Sequence, residues 1–201
     1  MGQIRKVCVY CGSSAGTDPA YVAAATRLGE ILAEAGIGLV YGGGSAGVMG
    51  ALAKSVQAHG GEIVGVIPEF LSVKENMFRG ATEIVVTQGM HDRKQVMFER
   101  SDAFVALPGG IGTLEELVEQ LTWAQLGRHK KPILIANLKG FWDGLLGLFE
   151  HMSRAGYIHS AARLNFLVAD NVEDILPALR AAAAAVPEDE KASERETVER
   201  M

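Results

Sequence analysis

Short apolar runs alternate with longer amphipathic stretches along the 201 residues of this chain. The runs at 4–10, 38–41, 62–67, 84–87, 103–107, 133–136 and 166–169 are too short for buried helices. Gly, Pro, Asn, Asp or Ser bound most of them, so they are expected to be strands. Between the first two, Val22, Ala25, Leu28, Gly29 and Leu32 repeat at helical spacing and stop at Gly36, with Asp18-Pro19 as N-cap and first helical residue. Further helices are predicted through Val56 to His59, over 91–100, from Thr113 onward, over 141–155, and after Asn171 as a cap into the alanines of 181–185. Residues 68–82 have no clean period and carry Lys74, Glu75 and Arg79, which suggests an active-site loop. Regular strand–helix alternation predicts an α/β protein: a doubly wound parallel sheet of about seven strands in a three-layer α/β/α arrangement. Such sheets bind ligands beyond the carboxyl ends of their strands.

One predicted strand end carries the most distinctive chemistry. The run Pro108-Gly109-Gly110-Ile111-Gly112-Thr113-Leu114-Glu115-Glu116 joins the strand at 103–107 to a helix. Its glycines let a ligand approach the backbone with no Cβ in the way. The first N–H groups of a helix have no internal partner and carry the positive end of its dipole, so the turn suits an anion such as phosphate. Thr113 adds a hydroxyl, and Glu115 and Glu116 place carboxylates within the first helical turns. On this helix Leu114, Leu117, Val118, Leu121 and Gln125 are expected to share the inner face, with Glu116, Glu119, Gln120 and Trp123 opposite. A large aromatic turned away from its own core suggests a partner surface; the alternative is that the chain's own loops cover Trp123.

A second glycine run, 42–50, admits competing readings. Gly42, Gly44 and Gly47 spell a dinucleotide fingerprint, but they follow the second strand rather than the first of their unit, with Glu69 as the acid beyond the next strand. Gly43, Ser45 and Gly47 spell a nucleophile elbow, with Asp143 and His151 or His159 as nominal partners. Tight helix–strand packing is the plain alternative; a nucleotide-facing loop including Gly43 and Gly44 is preferred.

Composition narrows the class. The net charge of −5 argues against a general nucleic-acid binder. No run approaches the roughly 18 apolar residues of a membrane span. The N-terminus has no signal-peptide core, and Lys6 breaks the myristoylation pattern, so a cytoplasmic setting is expected. Cys8 and Cys11 form a C-x-x-C, but a strand would put them on opposite faces and no second pair completes a metal site. The five histidines lack ligand spacing and are expected at the surface or in caps; no bound metal and no cofactor is expected. From Pro187 the chain is charged, so a single domain over 1–186 and a disordered tail over 187–201 are expected.

Gly12-Ser13-Ser14, the glycine run at 42–50, Met90-His91-Asp92-Arg93-Lys94, the Pro108–Glu116 run and Thr122-Trp123-Ala124-Gln125-Leu126-Gly127 stand in an order that resembles the LONELY GUY (LOG) family of nucleoside 5'-monophosphate phosphoribohydrolases. The match runs from the first strand to the last helix. It implies a Rossmann-like fold and hydrolysis of the N-glycosidic bond of adenine-type nucleoside 5'-monophosphates, typically cytokinin nucleotides. It also implies a homodimer with sites near the interface. By position it implies Arg93 and Glu116 as the catalytic pair. Substrate contacts carry over to Glu75, Lys94, Gly110, Ile111, Gly112, Thr113, Leu114, Glu115 and Thr122; Gly109, Gly43, Gly44 and Ser13 join them as residues of the glycine turns and the first loop. A nucleotide- or molybdenum-cofactor-binding protein without turnover is the alternative. A lysine decarboxylase, a label such sequences attract, would need a lysine for pyridoxal phosphate, and no persuasive site for one stands in the sequence.

Overall fold

The computed structural model describes residues 4–72, 77–158 and 164–185. Seven strands form one sheet in the order β4-β3-β2-β1-β5-β6-β7. They are β1 (Lys6–Tyr10), β2 (Gly38–Tyr41), β3 (Ile63–Pro68), β4 (Glu83–Thr87), β5 (Ala103–Ala106), β6 (Ile133–Ala136) and β7 (Leu167–Ala169). Every neighbouring pair is parallel. The connecting helices are α1 (Pro19–Glu34), α2 (Gly47–Ala58), the single turn α3 (Glu69–Ser72), α4 (Met90–Glu99), α5 (Ile111–Gln125), α6 (Asp143–Arg154) and α7 (Ile175–Ala185).

The period-two alternation of the strands sorts their side chains into two cores. Val7, Val9, Leu39 and Val105 pack with Leu28, Leu52 and Leu179 of α1, α2 and α7. Cys8, Tyr10, Val40 and Phe104 pack with Met97, Leu117 and Leu121 of α4 and α5. Cys8 and Cys11 fall in different cores as free buried thiols, as expected of a strand. Asp18 caps α1 as expected: its Oδ1 accepts from Ala20 N at 2.9 Å, and its Oδ2 accepts from Lys139 Nζ at 2.6 Å.

Strand order reverses between β1 and β5, because the chain builds outward from β1 on one side and resumes on the other. The loops leaving these two strands diverge, opening the crevice where doubly wound sheets bind ligands. Gly12 N donates to Pro108 O at 3.2 Å across its floor.

Four expectations are corrected. The inner face of α5 is Thr113, Glu116, Leu117, Gln120 and Leu121, whereas Val118 is exposed. Glu116 turns inward because a buried cation from α4 waits for it. Trp123 is half-buried by its own chain, edge-on to Phe98 with Arg128 stacked over it at 3.9 Å. His129 is buried rather than at the surface, tilted against Phe98 and Phe104. Burial and the Lys131 charge lower its pKa to about 4, so it is neutral. Finally, α6 starts at Asp143 instead of 141. Asn137 accepts from Trp142 N and donates to Asp143 Oδ1, both at 2.8 Å, and holds residues 138–140 in a separate tight turn.

Glu75, Lys74, His159 and the tail at 187–201 lie outside the described residues.

Candidate active site

Arg93 is the anchor. It sits in the second turn of α4, is 6% exposed, and spends three donors inward. Nε donates to Val66 O at 3.0 Å, Nη2 to Gly42 O at 3.3 Å and Nη1 to Glu116 Oε1 at 3.0 Å. One guanidinium thus ties the ends of β2 and β3 to the first turns of α5. Position 42 has to be glycine for this: a Cβ there would collide with Nη2.

Glu116 is 7% exposed. Burial pushes its pKa up to about 7, against the pull of Arg93 and with a further push from Glu115. Since the folded state binds this proton more tightly than the unfolded chain does, folding is favoured at low pH. That advantage is lost as pH rises from the ordinary carboxyl range to about 7. The same titration would show in any chemistry that uses this carboxylate. If the carboxylate is the working form, kcat/KM should fall as pH drops below about 7, and an acidic limb near the ordinary Glu value would contradict this.

Lys94, the next residue, pairs with Glu115 Oε1 at 2.5 Å and Glu119 Oε1 at 2.9 Å, clamping α4 to α5. Burial depresses its pKa, but the two carboxylates outweigh burial and hold it above the usual lysine value. A Schiff-base lysine needs the opposite shift. Lys94 therefore does not fit the role pyridoxal phosphate would require.

The two glycine turns differ in what their helices leave free. At α2, Val48 N donates to Ser14 O at 3.4 Å and Met49 N to Gly12 O at 3.1 Å. Gly47, at φ +61°, packs so tightly on the Ser13 backbone that no Cβ fits. Gly43 O accepts from Phe78 N at 2.9 Å, and Gly44 O accepts from the Tyr41 hydroxyl at 3.3 Å. The start of α2 is thus already committed, which removes the basis for a dinucleotide pyrophosphate there. Asp143, nominal partner of Ser45, is held by Asn137.

At α5 the situation is the reverse. Its N-cap Gly110 is extended and offers no side-chain cap, and the first intrahelical bond shown is Leu114 N to Gly110 O at 3.0 Å. Gly110 and Gly112 have no atom within 4 Å of a would-be Cβ, and Ile111 is exposed. The amides of Ile111, Gly112 and Thr113 form an open cradle of donors, of the kind that suits an anion, one turn from Glu116. Gly109 lies so close to the buried Thr113 hydroxyl that a side chain would collide with it. Leu114 packs partly into the α5-side core, and Ser13 is exposed beside the cradle. Thr122 is not brought to this cradle. It lies about 14 Å along α5 from Thr113, exposed, with its hydroxyl donating to Val118 O at 2.8 Å.

Sequence reasoning missed the layer behind Glu116. Gln120 is 0% exposed and Tyr10 is 2% exposed; the side-chain amide of Gln120 lacks a hydrogen-bond partner, and the Tyr10 hydroxyl has only the Cys8 thiol beside it. The only sequence signal was that Gln120 follows Glu116 by one helical turn.

Among the described residues no three His, Cys, Asp or Glu side chains are grouped as a metal site would need, and no helix is long and apolar enough to cross a membrane.

Fold and site define a doubly wound α/β protein with an open, uncapped helix start at its switch point and a buried arginine–carboxylate pair beside it. The family model described as "Possible lysine decarboxylase" matches residues 49–179. The probable cytokinin riboside 5'-monophosphate phosphoribohydrolase LOG4 of Oryza sativa subsp. japonica is 46% identical, over 91% of this chain and 80% of that protein. The LOG enzyme of the same rice is 44% identical, over 87% and 72%. LOG2 of Arabidopsis thaliana is 42% identical, over 88% and 83%. The chain belongs to the LONELY GUY family. Among solved structures, the molybdenum cofactor carrier protein of Chlamydomonas reinhardtii is similar in fold, with a TM-score of 0.69, 24% identity, and 90% of this chain and 99% of that one covered.

Proposed function

We propose that this protein hydrolyses the N-glycosidic bond of adenine-type nucleoside 5'-monophosphates, cytokinin ribosides among them, releasing free base and ribose 5-phosphate. The observation that carries the proposal is the buried Arg93–Glu116 pair beside the open start of α5. The cradle of Gly109, Gly110, Ile111, Gly112 and Thr113 holds the 5'-phosphate. As the bond from C1' to the base nitrogen breaks, positive charge builds on the ribose and the Glu116 carboxylate stabilises it. Water adds to C1', its proton passes to Glu116, and the departing base takes up a proton. Arg93 keeps the carboxylate in place, since three of its donors are fixed by Val66, Gly42 and Glu116. A carrier without turnover has the fold in its favour, but a buried carboxylate poised near neutral pH serves chemistry better than storage. Product analysis with AMP and isopentenyladenosine monophosphate tests the assignment.

The working unit in this proposal is a homodimer. Val118 and Leu126 of the α5 stretch, and Leu148 and Met152 of α6, are exposed apolar side chains, and α6 has no buried residue. Thr122, on the outer side of α5, would then serve a substrate across the interface. Light scattering at micromolar concentration should give twice the chain mass; a lone chain would overturn this. The proposal includes one domain over 1–186, so truncation before Pro187 should leave folding and turnover nearly unchanged, and a large loss of thermal stability would contradict it. A cytoplasmic setting is supported by the two free, buried thiols.

A further inference from the structure

Gln120 is completely enclosed, and both Nε2 and Oε1 lack hydrogen-bond partners. The Tyr10 hydroxyl beneath α5 is also enclosed, with only the weakly bonding Cys8 thiol as a side-chain partner. Each buried polar group left unpaired costs about 1–3 kcal/mol, and an apolar side chain of similar size would avoid that cost. These groups lie where the proposed chemistry is. Gln120 follows Glu116 by one turn on the inner face of α5, and side chains so spaced are neighbours, the later one leaning back toward the earlier. Tyr10 lies within electrostatic reach of both Glu116 and Glu119. Its ring is fixed by stacking on Phe104. A hydroxyl, an amide N–H and an amide carbonyl supply the mixture of donors and acceptors that an enclosed water needs.

We propose that Gln120 is a positioning residue: with Tyr10 it holds an enclosed water against the back of Glu116, fixing the carboxylate that Arg93 holds from the front. Arg93 and the water would then leave Glu116 one rotamer. The inference rests on Glu116 as the reactive carboxylate. It adds two neutral groups, Gln120 and Tyr10, to the charged ones facing it: Arg93 and Lys94 from α4, Glu115 and Glu119 on α5, and the ionisable Cys8 of β1 and Cys11 just after it.

Gln120→Met and Tyr10→Phe remove the polar atoms while keeping the shape. The readouts are the thermal midpoint, kcat and KM for AMP, and the titration of the Glu116 carboxyl followed by carbon NMR with Glu116→Gln as the assignment control. The thermal midpoint should change little, since the enclosed water keeps its remaining partners when one is replaced by an apolar group of similar shape. Loss of a donor to the carboxylate should raise the Glu116 midpoint by roughly half a unit or more. Turnover should fall roughly tenfold with KM nearly unchanged, as expected when only the transition state loses support. An unchanged Glu116 titration in both variants overturns the inference whatever the kinetics. So does a lower thermal midpoint accompanied by a higher KM, because Gln120 would then serve packing alone. If the wild-type protein leaves AMP intact while the variants still shift the Glu116 titration, the functional proposal falls and Gln120 still positions Glu116.

Discussion

Glu116→Gln should lower turnover of AMP by a factor on the order of a hundred or more. The substitution keeps size and most hydrogen-bonding reach but removes the charge that meets the developing cation on the ribose. Nucleotide affinity should change far less, and can improve, because the phosphate loses a nearby like charge. Arg93 would keep its carbonyl partners Val66 and Gly42 but lose its counter-ion. Since breaking a buried pair destabilises by about 3–5 kcal/mol, the thermal midpoint must be followed beside kcat. Glu115 is the internal control. It sits about 100° round the helix from Glu116, and its side chain is half exposed and paired with Lys94. Glu115→Gln should therefore cost much less activity. An inactive Glu115→Gln beside an active Glu116→Gln would show that the two carboxylates have exchanged roles. Full activity in both would contradict the carboxylate mechanism itself.

The second large effect concerns the phosphate. The open amides at the start of α5 can serve an anion only if the substrate carries one. Binding energy from this remote group positions the glycosidic bond for attack, so its loss should reduce kcat as well as raise KM. Adenosine should be cleaved roughly a hundredfold or more less efficiently than AMP in kcat/KM. Comparable cleavage of the two would remove the cradle from the mechanism.

Much of this architecture was legible because its causes are local. The strands at 38–41 and 133–136 have the predicted bounds, since each is an apolar run closed by Gly or Asn. The Asp18-Pro19 start of α1 followed from cap chemistry alone. What was not legible depends on partners distant in sequence. Polar residues at 116 and 120 read as the face turned away from the core because nothing local reveals that Arg93, 23 residues earlier, is buried against Glu116. His129 read as a surface or capping residue because its aromatic enclosure comes from Phe98 and Phe104. The two glycine runs look equally suited to phosphate as strings of residues. Only the bonds from Val48 and Met49 to the loop after β1 show that α2 has spent its first donors while α5 has not.

The central claim is hydrolysis at the glycosidic bond, and product chromatography tests it most directly. Purified protein should convert AMP or isopentenyladenosine monophosphate into equimolar free base and ribose 5-phosphate, with no nucleoside intermediate. Tight nucleotide binding with no base released, or release of inorganic phosphate and nucleoside instead, would contradict it.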